Sequence, residues 1–483
     1  MFYGRKEQIE RFSALWRKRV PSLVVCRGRR RIGKSTLIRE FARQSGGLYL
    51  KIEGLAPDDY MTNAKQLAAF REQLAAQTKC DIPKLKDWSE AFAALDAALD
   101  GTGRKVVLLD EVSWMGGYDH TFPAKLKVAW DNLFHDRANL VFFVCGSVST
   151  WIHKNILKSK GFVGRITLDT VVEELPLADC LKFWGNRVRR LDTKEVLDVL
   201  SVTGGVPRYL EEIDPSLSAD ENIRRLCFLP DGYLYREFNE LFNDIVSRTA
   251  PTKRRVLETL AEGPLSGTEL AERLSLARNG RLSDLLEELE TAGFVAKADG
   301  VNPATGKRGR IDRYRLRDNY TRFFLRYVSP RIPEIQAGTF AFLSLSLLPG
   351  WEAMMGLQFE NLVLNNLPEV LRALGLQGRL ILSAAPYRCV RTDRGGGLQV
   401  DLLVQTEKVA HLVEIKRRAE LGQDVAREIA DKAARLPVRE GVSVRTALVY
   451  DGRLTRALAA SDEIDRFVSA RELLGLSRIM RTV

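Results

Sequence analysis

The chain is poor in the residues that build disulfide frameworks and soft-metal sites. Its 483 residues include six cysteines and four histidines. The cysteines stand at 26, 80, 145, 180, 227 and 389, and no two form a C-x-x-C pair. That scatter argues against a disulfide scaffold, offers zinc no ligand spacing and points to a reducing compartment. Long apolar runs are missing as well. The stretch 340–348 is interrupted by serines and is too short to span a bilayer. The opening residues Met1-Phe2-Tyr3-Gly4-Arg5-Lys6 lack the apolar core of a secretory signal. The expectation is a cytoplasmic protein with no membrane partner. Acidic residues are in deficit, 62 against 74 lysines and arginines, which leaves a net charge of +12. A basic balance favours a polyanionic partner, nucleic acid first among them. The length accommodates about three or four domains.

Two runs carry the positive signal. Gly28-Arg29-Arg30-Arg31-Ile32-Gly33-Lys34-Ser35 fits the phosphate-loop pattern G-x-x-x-x-G-K-[ST] at every position. Residues 22–26 before it read as a buried parallel strand, and residues 34–44 as a helix. Gly28 and Gly33 permit backbone angles that let the N–H groups between them surround a phosphate. Lys34 can reach the β- and γ-phosphates, Ser35 can ligate magnesium, and Thr36 completes the binding set. The second run, Val106-Val107-Leu108-Leu109-Asp110-Glu111, is an apolar strand ending in two carboxylates. Asp110 would hold magnesium through water. Glu111 would orient and deprotonate the attacking water. The pair of motifs implies ATP and Mg2+, with hydrolysis.

Further strands are expected at 48–52, 106–109, 140–145 and 166–168, with helical stretches at 62–77, 88–99 and 124–134. This alternation argues for a parallel α/β sheet over residues 1–170. Residues 171–245 read as a helical lid. Residues 246–330 run helix, turn, helix, helix, strand, strand, the order of a winged helix. Prolines and glycines mark 331–350 as a linker, and a separate α/β pattern fills 351–483.

The chain resembles the archaeal-type AAA+ ATPases, which join a P-loop core to a winged helix and a C-terminal domain related to PD-(D/E)xK nucleases. The residues that carry the likeness are Tyr3-Gly4-Arg5 with Glu7, the arginine-rich phosphate loop, Asp110-Glu111, Gly146-Ser147, Gly164-Arg165, Gly204-Gly205-Val206-Pro207-Arg208 and Tyr314-Arg315-Leu316-Arg317-Asp318. The resemblance implies that Gly4 and Arg5 lie near the adenine. It implies that Ser147 senses the γ-phosphate or the attacking water. Arg165 takes the place of an arginine finger reaching a neighbour's γ-phosphate, which makes a homo-oligomer an expectation. Arg208 would report nucleotide state to the lid.

Between Lys297 and Arg331 stand ten lysines and arginines against three acidic residues. A wing bearing Lys307, Arg308 and Arg310 could lie along the phosphates of double-stranded DNA. Against this, the helix before it carries Asp284, Glu287, Glu288 and Glu290, and Tyr320, Phe323, Phe324 and Tyr327 are spaced like a buried helix face.

Further on, residues 398–404 and 409–415 read as strands. A hairpin turning at Glu407-Lys408 puts Asp401 opposite Glu414, with Lys416 two residues on and on the same face. That is the D-x(n)-E-x-K arrangement, in which Asp401 and Glu414 hold magnesium and Lys416 steadies water or developing phosphate charge. Glu360, in the helical stretch 356–367, matches a helix carboxylate often found beside such sites. Two other classes stay open: a non-cleaving DNA- or protein-remodelling switch, and a signalling or defence ATPase that senses a protein or small molecule.

Overall fold

Five short apolar runs build the first sheet of the computed structural model. They are β1 (Ser22–Arg27), β2 (Leu48–Glu53), β3 (Lys105–Asp110), β4 (Leu140–Gly146) and β5 (Ile166–Val171). All pair in parallel, in the order β2-β3-β4-β1-β5. Strands β3 and β4 are buried at every position, as expected of central parallel strands covered by helices on both faces. Each expected strand is present and longer by one residue or more. The expected helix 124–134 is an α-helix, Phe122–Ala129, that widens into a π-helical turn, Trp130–Phe134. Trp88 and Phe122 meet edge to face with ring centroids 4.8 Å apart, within the core of this sheet.

The structure describes residues 2–18, 20–147, 149–244, 250–276, 280–308, 313–340, 344–389 and 396–476. They fall into two units, Met1–Glu174 and Leu175–Val483.

The second unit begins with helices, among them Thr193–Thr203, Pro207–Leu210, Ala219–Cys227 and Tyr233–Asp244. Helices Ala250–Ala261, Gly267–Leu274 and Gly280–Thr291 follow, with a three-stranded antiparallel sheet. Its strands are β6 (Leu265–Ser266), β7 (Val295–Ala298) and β8 (Arg313–Leu316), with β8 in the centre. The loop between β7 and β8 packs on the C-terminal sheet. The Gln405 amide donates to the Val301 carbonyl at 2.6 Å, and the Arg439 N–H donates to the Pro303 carbonyl at 3.1 Å. Lys307 and Arg308 remain exposed, and Arg310 lies outside the described residues. Tyr320, Phe323, Phe324 and Tyr327 are buried, so these rings belong to the core.

The C-terminal part carries helix Trp351–Asn365 and strands β9 (Ser383–Cys389), β10 (Leu398–Gln405), β11 (Val409–Leu421), β12 (Ser443–Leu454) and β13 (Arg466–Ser469). The order is β13-β12-β11-β10-β9. Strands β9 to β11 are antiparallel and β11 to β13 parallel, giving a mixed sheet. A buried polar network ties helix Trp351–Asn365 to the segment after β8. The Asn319 amide donates to the carbonyls of Ser201 and Gln358, both at 3.1 Å, and Arg322 donates to the Gln358 side chain at 2.9 Å and the Leu316 carbonyl at 2.6 Å. Arg315 donates to Asn361 and Asn365. Both terminal nitrogens of Arg322 and the Asn319 amide thus find acceptors that water can no longer supply. The Tyr314-to-Asp318 motif therefore fixes the helix that presents Glu360.

Candidate functional site

Parallel strands bring the first set of residues together at one edge. Register pairs Cys26 with Cys145 and Leu109 with Val144, so the ends of β1, β4 and β3 lie side by side. The phosphate loop follows β1, Ser147 follows β4, and Asp110-Glu111 ends β3. Ligands bind at this carboxyl edge in open parallel sheets. Gly28 has φ of 151°, and a Cβ there would sit 2.3 Å from the Val172 carbonyl oxygen, so only glycine fits. Gly33, at φ 85°, caps helix Lys34–Ser45. The Lys34 ammonium donates to the Gly28 and Arg29 carbonyls, both at 2.9 Å. Gly4 and Arg5 are both left-handed, and the Arg5 guanidinium donates to the Ile32 carbonyl at 3.1 Å. The N-terminal segment is thereby pinned to the loop. Two of the loop's arginines have partners away from it. Arg29 faces Glu174 at 3.8 Å, and Arg30 lies 5.0 Å from the centroid of the Trp114 ring. Arg31 adopts φ of 66°. These residues form a cradle of backbone donors and one ammonium, which fits a polyphosphate.

Ser35 Oγ donates to Asp110 Oδ2 at 2.6 Å. Two hard oxygen ligands thus stand together, which suits Mg2+. Glu111 carries φ of 49°, a strained value for a residue with a side chain. Both the N–H and the hydroxyl of Ser147 donate to Glu111 Oε2, at 3.0 and 2.9 Å. Ser147 therefore contacts the carboxylate rather than standing apart from it. The motif reading missed Lys51 on β2, whose ammonium is 3.1 Å from Asp110 Oδ2. Its position follows from the β2–β3 pairing, which no local pattern announces.

Arg165 precedes β5 at the opposite edge of the sheet, because β5 runs parallel to β1 with Ile166 beside Leu23. Its guanidinium holds Asp131 through two bonds, at 2.6 and 2.8 Å. Lys127 adds a contact at 2.8 Å. These partners hold the Asp131 carboxyl far below its usual range, Arg165 being the main cause. The π-helical turn presents Asp131 to this pair. Arg208, in the second unit, pairs with Glu211 and Glu212 at 3.3 and 2.7 Å and lies against the Tyr233 ring.

The second set of residues lies on β10 and β11. Leu402 pairs with Val413, a register that places Asp401 opposite Glu414 as expected. The pairing of β10 with β9 slips by one residue between Val400 and Leu403. Such bulges bend a strand and re-aim a side chain. Asp401 Oδ2 accepts the Ile415 N–H at 2.9 Å. Glu414 is fully buried. Its Oε2 accepts Lys432 at 2.7 Å and lies 3.3 Å from Lys416. Its Oε1 has no hydrogen-bond partner among the described residues. Burial first, then the Asp401 charge, push Glu414 up to about 7 against the pull of Lys432. Burial also raises Asp401 and Glu360, the latter against the charges of Arg322 and Arg315.

Lys432 and Glu428 were not found by motif reading. They sit one turn apart on helix Gln423–Arg435, and Glu428 accepts from Lys416 and Lys432, both at 2.9 Å. An i, i+4 Glu–Lys pair is so common on exposed helices that its sequence gives no sign of a site. Among the described residues, no three His, Cys, Asp or Glu side chains are placed to hold a metal ion. The expected grouping of Asp401, Glu414 and Glu360 is therefore not a closed carboxylate cage. Glu414 is engaged by two ammonium groups, and Glu360 faces arginines. The orphaned Oε1 of Glu414 and the opposed Asp401 still make a donor pair that fits one divalent cation.

No helix among the described residues is long and apolar enough to cross a membrane. Residues 2–213 match a family described as an ATPase domain predominantly from Archaea. An uncharacterized protein of Methanocaldococcus jannaschii, MJECL04, is 22% identical over 441 residues, 89% of this chain and 91% of that one. A Walker-type ATPase of Pyrococcus abyssi is 18% identical with a TM-score of 0.49, covering 67% of this chain and 96% of that chain. The Aeropyrum pernix ORC2 protein, solved as ADPNP-ADP complexes, is 14% identical with a TM-score of 0.45, covering 69% and 94%. With the phosphate loop and the β3 carboxylates on one edge of a parallel sheet, residues 2–213 carry an ATPase domain of the archaeal type.

Proposed function

We propose that this chain hydrolyses ATP with Mg2+ and that its nucleotide cycle controls engagement of nucleic acid, with a nuclease-like centre in the second unit. Bound magnesium would supply charge neutralisation between the phosphates. Lys34 and the loop N–H groups bind and orient them. Ser35 would hold the magnesium directly and Asp110 through water. Glu111 takes a proton from water as the water oxygen bonds to the γ-phosphorus and the bond to ADP breaks. Ser147 holds Glu111 in place for that step. Arg165 acts on a neighbour's nucleotide. Its place at the far edge of its own sheet supports a role in trans, and Asp131 keeps it oriented.

The reading of the second unit as a winged helix followed by a PD-(D/E)xK-like domain rests on element order and on one observation: Asp401 opposite Glu414, with Lys416 in contact. In that reading, Asp401 and Glu414 hold magnesium and Lys416 steadies the phosphate being cleaved. The non-cleaving reading is favoured by a different observation, the two ammonium groups engaging Glu414. Duplex and single-stranded DNA, incubated with the full chain in magnesium or manganese with and without ATP, separate the two. Cleavage by wild type that Asp401→Ala abolishes carries the nuclease. Binding without cleavage carries the switch.

A further inference from the structure

A cleft of about 70 Å³ opens beside Asp401 and Glu360. Its walls come from two directions. Strand β8 contributes Arg313 and Arg315, and β9 contributes Arg388. Pro264 and Pro386 stiffen the rim. The small sheet and the C-terminal sheet thus meet over one opening, with two carboxylates at one side and three guanidinium groups around it. This placement does not follow from either sheet alone. The buried network from Arg315 to Asn361 and Asn365 holds β8 against the helix that carries Glu360.

The chemistry of the walls selects a ligand. Arg313 is partly satisfied, with the Pro264 carbonyl at 3.2 Å and Glu269 at 3.0 Å. Burial lowers its affinity for its proton, and the nearby charge of Arg388 lowers it further, against the pull of Glu269. Arg388 is exposed and lies across from Gln399 in the β9–β10 pairing. Like charges held near each other in a cleft are relieved by an anion between them. The volume is well under the roughly 300 Å³ at which pockets for whole small molecules begin. It admits a phosphate group and leaves a base and sugar outside. Guanidinium groups match the paired oxygens of phosphate.

We propose that this cleft is a phosphate clamp, in which Arg388 and Arg313 bind the backbone of a nucleic-acid strand, with the charge of Arg315 behind them, and lay one phosphodiester beside Asp401. The proposal rests on the nucleic-acid reading given above and names what that site recognises. Because only phosphate enters, recognition is independent of base sequence. The small sheet then takes part in the C-terminal site through its central strand β8, not through the exposed loop at Lys307 and Arg308.

The test uses the full chain with fluorescein-labelled single-stranded and duplex DNA of two unrelated sequences, in EDTA to prevent cleavage, over a salt series. Arg388→Ala is the variant, since an exposed side chain can be removed without opening the core, and its thermal melting is compared with wild type. The expected result is about a tenfold loss of affinity, equal for both sequences, with the salt dependence shallower by about one ion. Arg388→Lys should restore part of the affinity and the full salt slope. Wild-type binding that Arg388→Ala leaves unchanged overturns the clamp alone. Loss confined to one sequence also overturns it. Inorganic phosphate that competes as strongly as an equal concentration of DNA phosphate would make the cleft a free-anion site and overturn the backbone assignment. A wild-type chain that binds no DNA at low salt removes the nucleic-acid reading, and the clamp falls with it.

Discussion

Two pairs of carboxylates stand on strands in this chain, Asp110 and Glu111 at the end of β3 and Asp401 and Glu414 within β10 and β11, and their surroundings differ in kind. Asp110 and Glu111 are served mainly by hydroxyl and amide donors, Ser35 on one and Ser147 on the other, with a single ammonium from Lys51. Asp401 is half-buried and Glu414 fully buried, and Glu414 is engaged by the ammonium groups of Lys416 and Lys432. Neutral donors orient a carboxylate without competing strongly with an incoming cation. Ammonium groups orient it and also compete with that cation. On the proposed reading, the first pair would take up magnesium against one ammonium, that of Lys51 on Asp110. The second must release or share an ammonium before a divalent ion can settle.

The largest effects belong to the first pair. Lys34→Ala should weaken ATP binding at least a hundredfold, because the phosphates lose their only loop ammonium; calorimetric titration reads this directly. Glu111→Gln should bind ATP normally and turn it over about 10²–10⁴ times more slowly, the usual range for losing a general base. Turnover at the wild-type rate would remove Glu111 from that role, and the strained backbone there would need another reason.

Next in size is Arg165. If it acts in trans, turnover per chain should rise with protein concentration, and Arg165→Ala should lower it by about a hundredfold or more. Mixing Arg165→Ala with Lys34→Ala should recover part of the activity, through interfaces that pair an intact phosphate loop with an intact finger. Concentration-independent turnover by a monomer would return Arg165 to a purely structural pair with Asp131.

The sequence made the first site legible and the second only partly so. The phosphate loop is local, and its strand and helix flanks repeat the same message, so the eight residues could be read together as one loop. The Asp401–Glu414 opposition was also readable, because hairpin pairing follows from turn position and a period of two. Arg165 could be placed before a strand but not at the far edge of the sheet, since that depends on β5 pairing with β1. Lys51, Glu428 and Lys432 reach their sites through strand order or helix docking, which leave no spacing signature. The tyrosines and phenylalanines at 320 to 327 were spaced like a buried helix face. All four are buried in the structure.

A smaller effect sharpens the contrast between the pairs. Lys432→Gln removes one ammonium from Glu414 while keeping a donor of similar reach. Manganese binding at the second site, measured in Lys34→Ala protein to silence the first, should tighten several-fold. Asp401→Asn in the same background should weaken it. No manganese binding in either protein would make the Glu414 cluster a buried ion network that holds β11 to helix Gln423–Arg435.

The smallest expected effect is on stability and has a definite sign. Glu414 is raised from 4.5 to about 7 in the folded chain, chiefly by burial and then by Asp401. Between those values the folded state keeps a proton that the unfolded chain has released. Stability from this group is therefore greatest below pH 4.5, falls as pH rises toward 7 and is level above it. The raised Asp401 acts with the same sign, whereas Glu428, lowered by Lys432 and Lys416 against its own burial, acts in the opposite sense below its usual range. Subtracting Glu414→Gln from wild type isolates the first contribution, since glutamine keeps the shape and carries no proton to lose. In chelator, the wild-type advantage over the variant should shrink by on the order of 1–3 kcal/mol between pH 4.5 and 7, read as a few degrees in the melting temperature. Added manganese should reduce that fall, because a bound cation favours the deprotonated carboxylate. A pH-independent difference between the two proteins would mean that Lys416 and Lys432 compensate the Glu414 charge fully.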